Sequence, residues 1–154
     1  MPTSTTLALL SLPAYYALSI APHMYGATLA TNGDITKHDN SNPHGSSASK
    51  RTTSALSPAL LAKYERSEAC HRNCMENMPI FYASLLVGLL AEQKSGRDLG
   101  LGTFAVGWMV SRVIYVGNYI VTESKEWSLL RSLMYFVGTG WCFKMCWKAA
   151  GELA

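Results

Sequence analysis

The segment from Glu65 to Phe81 carries the side chains best suited to chemistry: arginines, glutamates, asparagines and a histidine. It leads without a break into residues 82–91, which carry no charge and have the composition of a membrane-embedded helix. An ion at the bilayer centre costs about 2.5 to 3.5 kcal/mol, so such residues usually face a bundle interior or a water-filled cavity. Helical spacing places four of them within one broad face: Arg66, Arg72, Asn73 and Glu76.

That face suits a small ligand with several charges. Arginines hold carboxylates in a forked geometry, and a glutamate can hold an ammonium group. The competing interpretation is structural, because Arg72 and Glu76 are four residues apart and can form an ion pair on a solvated helix end. Residue types and spacing alone leave both interpretations open.

Two further groups lie later in the chain. Arg112, Tyr115 and Tyr119 stand at i, i+3 and i+7, on one face of a helix. Arg131 lies in the first turns of a further apolar segment, residues 127–150. Each arginine can also extend its charged end to the membrane interface, where tyrosines are common, so membrane anchoring remains the alternative at both places.

The elements that position these residues are membrane helices. In 154 residues, 49% are hydrophobic and only 15% charged, and the apolar residues come in blocks. We predict an all-α, integral membrane four-helix bundle of up-down topology, in one domain covering residues 1–154. The predicted helices are residues 7–30, 57–93, 99–122 and 127–150, with a polar loop at 31–56. Ser57 followed by Pro58 predicts the start of the second helix.

Charge and cysteine spacing limit the partners. A net charge of +3 without a dense run of lysine and arginine excludes nucleic acid. The cysteines form two i,i+4 pairs, Cys70 with Cys74 and Cys142 with Cys146. The pairs would differ in depth by about 20 Å, which argues against a shared metal. We therefore expect reduced packing residues and no metal.

Three segments resemble the MAPEG superfamily, the membrane-associated proteins in eicosanoid and glutathione metabolism. Arg-x5-Arg-Asn-x2-Glu-Asn-x-Pro-x-Phe, from Arg66 to Phe81, is similar to the signature of its second helix. Residues 112–119, RVIYVGNY, resemble its third helix. Arg131-Ser132 followed by Tyr135 matches the place in the fourth helix that faces the glutathione thiol. The resemblance points to microsomal glutathione transferases.

This resemblance implies a multi-pass protein of the endoplasmic reticulum and a homotrimer that binds glutathione between neighbouring subunits. Arg131 would be catalytic, with Ser132 as a hydroxyl donor. The implied glutathione contacts are Arg66, Arg72, Asn73, Glu76, Arg112, Tyr115, Tyr119 and Tyr135.

The chemistry that the resemblance implies is thiol activation. A free thiol has a pKa of about 8.5, and lowering it by two units takes about 2.7 kcal/mol, which a close guanidinium can supply. The thiolate would attack a lipophilic electrophile from the bilayer, in detoxification or eicosanoid metabolism, and the protein could also reduce lipid hydroperoxides. A glutathione-dependent isomerase or dedicated biosynthetic enzyme, and a non-catalytic protein that binds or activates lipid partners, are the alternatives.

The sequence departs from the family pattern at two positions. Ala69 stands where relatives often have an additional arginine, so one carboxylate contact is missing or comes from Arg66, one turn earlier. His44 follows the turn at residues 39–43, where relatives commonly have an arginine.

Overall fold

Four long helices form the protein in this computed structural model: α1 (Ser4–Ala30), α2 (Pro58–Ser95), α3 (Leu101–Val121) and α4 (Lys125–Leu153). A short 3-10 helix, Ile35–Lys37, follows α1. The structure describes residues 4–37 and 56–154, apart from the side chain of Lys125. The predicted turn at 39–43, His44 and most of the predicted polar loop lie outside the described residues.

The helix ends follow signals in the sequence. Ser57 has extended backbone angles, φ −62° and ψ 154°, and its hydroxyl accepts the Leu60 N–H at 3.4 Å. Pro58 begins the helix, which confirms the predicted start of α2. Gly96 ends α2 in the left-handed conformation, with φ 69°, which glycine adopts without steric cost.

Three of the four helices are long and apolar enough to cross a membrane. They are α1 with 27 residues, α2 with 38 and α3 with 21. The fourth, α4, has 29 residues but carries Arg131, Lys144 and Lys148, which lower its mean hydropathy. Length and composition therefore confirm an all-helical multi-pass membrane protein with three of the four predicted spans.

The helices alternate in direction, as up-down topology requires. At one end of the bundle, the Ser4 hydroxyl of α1 accepts the N–H of Gly102 in the first turn of α3, at 2.8 Å. Near the same end, Lys94 of α2 donates to the carbonyl of Leu153 in α4 at 2.7 Å. Helices α1 and α4 each pack against both α2 and α3. The α2–α3 pair is thus the centre of the bundle, and it carries most of the candidate site residues.

An aromatic cluster joins three helices in the core. The rings of Phe81 and Trp108 stack with centroids 4.6 Å apart, and Tyr15 meets both edge-on, at 5.5 and 5.4 Å. The Tyr15 hydroxyl donates to the carbonyl of Cys74 at 2.9 Å, so its polar atom is satisfied although the residue is fully buried. This cluster holds α1, α2 and α3 together in the core.

Part of the polar segment of α2 fastens α1 to the bundle. Glu68 accepts from Nδ1 of His23 at 2.9 Å, and His71 donates from Nδ1 to the carbonyl of Ser19 at 2.7 Å. Polar contacts of this kind hold helices together where the hydrophobic effect gives little drive for association. His23 thus lies at the contact between α1 and α2.

Gly138 allows α4 to approach α3 closely. A Cβ atom at Gly138 would lie 2.7 Å from Nη2 of Arg112 and 3.2 Å from the Trp108 ring. Both neighbours are fully buried, so the Arg112 guanidinium would have to shift and the Trp108 ring to give way for a methyl group to fit. We expect Gly138→Ala to lower the free energy of unfolding by about 1 to 3 kcal/mol, measured as an earlier thermal midpoint in detergent.

Gly140→Ala is the matched control, because a Cβ at Gly140 on the same helix would meet nothing within 4 Å. Alanine favours a helix over glycine by about 1 kcal/mol, so this variant should be neutral or slightly more stable. Equal midpoints for the two variants would show that α4 does not approach Arg112 as closely as the structure indicates.

Candidate functional site

A cavity of about 570 Å³ lies at the end of the bundle where α3 ends and α4 begins. Its walls come from the first half of α2, the end of α3, the turn at 122–124 and the first turns of α4. The residues that line it are Ala62, Glu65, Arg66, Ala69, Tyr119, Thr122, Glu123, Ser124, Ser128 and Arg131.

Two guanidinium groups define the electrostatics of this cavity. Arg131 of α4 lies over the Tyr119 ring, with its Cζ atom 4.3 Å from the ring centroid. Arg66 of α2 donates from Nη2 to Oε1 of Glu123 at 2.8 Å. The cavity therefore presents two guanidinium groups and an aromatic face beside the carboxylates of Glu65 and Glu123, an arrangement that suits a ligand with both carboxylate and ammonium groups.

A series of side chains in contact with one another runs along α3 from the cavity wall. The rings of Tyr119 and Tyr115 are 5.5 Å apart, and the Arg112 guanidinium lies 5.3 Å from the Tyr115 ring. The same guanidinium lies 4.2 Å from the Trp108 ring. The spacing of three or four residues places these side chains on one helix face, as predicted from the sequence.

Arg112 is the most unusual residue of this series. Its relative exposure is 0%, and Nε, Nη1 and Nη2 all lack a hydrogen-bond partner among the residues that the structure describes. The sequence allowed a second interpretation, in which Arg112 reaches the membrane interface. Its complete burial between α3 and α4 rules that interpretation out for the folded chain.

The second-helix residues divide between two surfaces. Asn73 is half-buried, and its side-chain amide donates to the carbonyl of Ala69 at 2.8 Å, one turn back on the same helix. Arg72 and Glu76 are exposed on the outside of the single chain, and no ion pair joins them. The i,i+4 ion pair considered from the sequence is therefore not formed.

The remaining candidates on α4 are also on the outer surface. Ser132 follows Arg131 but points away from the cavity and is exposed, as is Tyr135. Tyr135 packs edge-on against Phe136, with centroids 5.4 Å apart. The single chain thus brings Arg66, Tyr119 and Arg131 together around one cavity. Of the other seven predicted residues, Asn73, Arg112 and Tyr115 are half-buried or buried in the bundle without lining the cavity, and four are exposed on the outer surface: Arg72, Glu76, Ser132 and Tyr135.

The four cysteines are free thiols. Cys70, Cys74 and Cys142 are fully buried, and Cys146 lies 3.3 Å from the Ser84 hydroxyl. Cys70 and Cys74 pack with Tyr115 in a small cluster behind the cavity. Within residues 4–37 and 56–154, no group of three histidine, cysteine or carboxylate side chains is arranged to hold a metal.

Glu123 in the cavity wall and Gly138 against Arg112 were not identified from the sequence. The pairing of Glu123 with Arg66, 57 residues away, has no local signal. Gly138 gave a usable signal, since small residues in membrane helices mark close helix contacts.

The comparisons with known proteins give one positive result. The family model described as MAPEG matches residues 5–151. No curated protein and no solved structure matches the chain. The family model covers nearly the whole chain, including all four helices and the candidate cavity. The chain therefore belongs to the MAPEG family.

Proposed function

We propose that this chain is a membrane-bound glutathione transferase that activates the glutathione thiolate for attack on lipophilic electrophiles. The observation that carries the proposal is the cavity between α2, α3 and α4, where Arg66 and Arg131 present two guanidinium groups around Tyr119. Membership of a family concerned with glutathione and eicosanoids supports the ligand class.

The position of Arg66 supports its assignment to carboxylate binding. It lies in the cavity wall beside Ala69, the position at which relatives often have a further arginine. A methyl group at Ala69 leaves room for the longer side chain from one turn earlier. Arg66 would therefore hold one carboxylate of glutathione, through the paired N–H groups that match carboxylate geometry.

Arg131 would activate the thiol. A guanidinium beside the sulfur favours the thiolate, and the released proton passes to solvent. The sulfur then forms a bond to the electrophilic carbon, and the leaving group departs with its bonding electron pair. Stacking of Arg131 on Tyr119 holds the guanidinium in place, which preserves the geometry between turnovers.

Arg112 and Tyr115 would support the site from beneath it. The unpartnered charge of Arg112 is separated from the cavity by the two tyrosine rings, which are 5.5 Å apart. An anionic ligand in the cavity would interact with this charge through the two tyrosine rings rather than through water, and electrostatic interactions are stronger in protein than in water. Arg112 is in this view a positioning residue.

The exposed candidates favour a site shared between subunits. Arg72 and Glu76 lie on a helix that is apolar enough to span a membrane, and charged groups in such a helix rarely face lipid. A neighbouring subunit would cover them, together with Ser132 and Tyr135, and complete the site with Glu76 as the partner of the ligand ammonium. We therefore propose a homotrimer, tested by the mass of the purified particle in light scattering.

Helix α4 would be the fourth span. Trp127 and Trp147 are 65% and 84% exposed near its two ends. Their separation in sequence corresponds to about 30 Å of helix, the thickness of the hydrocarbon core. Tryptophans at both interfaces are typical of membrane-spanning helices. With this fourth span we propose a multi-pass protein of the endoplasmic reticulum.

The direct test is formation of the glutathione thiolate. Detergent-purified protein is mixed with glutathione at neutral pH, and the ultraviolet absorbance of the thiolate is followed. We expect a stoichiometric signal that S-hexylglutathione, which has no free thiol, displaces. Its size measures the fraction of sites that hold ionised glutathione.

The outcomes separate the competing functions. Thiolate formation with a glutathione conjugate as product supports the transferase, whereas thiolate formation without any conjugate from a range of electrophiles favours an isomerase. Absence of both the signal and glutathione binding would refute the enzyme and favour a non-catalytic, lipid-binding member of the family.

A further inference from the structure

The ion pair between Arg66 and Glu123 occupies the wall of the candidate cavity. Nη2 of Arg66 lies 2.8 Å from Oε1 of Glu123. The two partners differ in environment, because the Arg66 side chain is 20% exposed and that of Glu123 is 76% exposed. Glu123 belongs to the short turn between α3 and α4, and within residues 4–37 and 56–154 its carboxylate bonds to Arg66 alone.

The bond to Glu123 leaves the Arg66 guanidinium incompletely satisfied. Nε of Arg66 is buried and has no partner in the described part of the chain. Nε and Nη2 form one edge of the guanidinium, and both can donate to the two oxygens of a single carboxylate. Glu123 engages only one of these donors, whereas a freely placed carboxylate could engage both.

We infer that Glu123 is an internal carboxylate that occupies Arg66 in the ligand-free protein and is displaced when a carboxylate of glutathione binds. This inference rests on the proposed function. It assigns Glu123 as the residue that sets glutathione affinity by competing for the arginine, without touching the reacting sulfur.

Because Glu123 is exposed, its replacement on Arg66 by a ligand carboxylate costs little free energy. Ion pairs with one partner in solvent contribute little net free energy, so opening this pair should weaken ligand binding only about two- to fivefold. Once released, the Glu123 carboxylate is hydrated by the surrounding water. Glu123 therefore shields a half-buried guanidinium between binding events at a small loss of affinity.

The test compares Glu123→Gln with Glu126→Gln. Both variants remove one negative charge close to the cavity, but Glu126 is exposed and makes no ion pair within the described residues. The dissociation constant of glutathione sulfonate, which carries no thiol, is measured by calorimetry on the full-length protein. We expect binding about two- to fivefold tighter in Glu123→Gln and an unchanged constant in Glu126→Gln.

Glutathione diethyl ester, which has no free carboxylate, provides the second arm. It cannot displace Glu123 from Arg66, so its affinity should be the same in wild type and Glu123→Gln. A gain for the ester equal to the gain for the sulfonate would overturn the inference, because the effect would then not involve a carboxylate.

The remaining outcomes separate the inference from the proposed function. Equal or weaker binding of glutathione sulfonate by Glu123→Gln, with clear binding by wild type, overturns the role of Glu123 and leaves the transferase intact. Absence of binding by wild type and both variants overturns the proposed function and the inference together.

Discussion

Arg131→Ala is expected to abolish the thiolate absorbance of bound glutathione and to lower kcat/KM by about 100-fold or more. Arg131 lies in the cavity wall and stacks on Tyr119, 4.3 Å from the ring centroid, so no flexible surface arginine can replace it. Lowering a thiol pKa by two units takes about 2.7 kcal/mol, and loss of that stabilisation corresponds to about 100-fold in rate. The measurements are thiolate absorbance and conjugation kinetics with a lipophilic electrophile.

The pH profile identifies the cause of that loss. If Arg131 acts by stabilising the thiolate, the activity of Arg131→Ala should recover as the pH rises toward the ordinary thiol pKa of about 8.5. Arg97→Ala is the matched control, since Arg97 forms an exposed ion pair with Glu152 at the opposite end of the bundle. A pH-independent loss, or an equal loss in Arg97→Ala, would contradict thiol activation by Arg131.

The helices of this chain could be predicted from its sequence, because a membrane-spanning helix requires a long apolar segment. Apolar blocks separated by short polar turns predicted four helices, and Ser57 with Pro58 predicted the start of α2, which the structure confirms. The fourth helix shows the limit of that method. Arg131, Lys144 and Lys148 lower its mean hydropathy, although Trp127 and Trp147 at its ends support a membrane span.

The sequence also predicted which site residues share a helix face. Arg112, Tyr115 and Tyr119 form the expected face of α3, because a helix fixes which residues are neighbours at i+3 and i+4. Helical spacing does not reveal what lies opposite that face. The sequence could not distinguish an Arg112 at the membrane interface from an Arg112 enclosed between α3 and α4, where Gly138 makes space for it.

Contacts between distant segments were the least predictable part. The second-helix polar face was expected to act as one unit, but Arg66 and Asn73 face the bundle whereas Arg72 and Glu76 face outward. Packing against α1 and α4 decides this division, and no local pattern encodes it. The ion pair of Arg66 with Glu123 is likewise a consequence of how the α3–α4 turn folds over α2.

Arg112→Met should make the ligand-free protein more stable while weakening glutathione binding. The guanidinium of Arg112 is fully buried and its three nitrogens lack partners in the described chain. A buried charge without hydrogen bonds carries a desolvation penalty of several kcal/mol, which an apolar side chain of similar volume does not. The stacking on Trp108 that is lost contributes about 0.5 to 2 kcal/mol, so the net change should favour methionine.

Thermal unfolding in detergent, with and without glutathione, measures both effects. Wild type should be stabilised by glutathione, because the bound anion compensates the buried charge and binding adds to stability by mass action. Arg112→Met should start from a higher midpoint and gain less on adding the ligand. Arg112→Lys keeps a charge but cannot stack as a planar guanidinium, so it should keep part of the ligand response without the higher midpoint.

Arg66→Met is the control that distinguishes the effect of removing a fully buried charge from the effect of removing any arginine near the site. Arg66 already has a carboxylate partner, Glu123, and is partly exposed, so its replacement leaves no reason for a higher midpoint. A lower midpoint for Arg112→Met would mean that its charge is compensated within the assembled protein even without ligand. In that case Arg112 holds subunits or helices together, and the charge of glutathione is balanced at Arg66 and Arg131 alone.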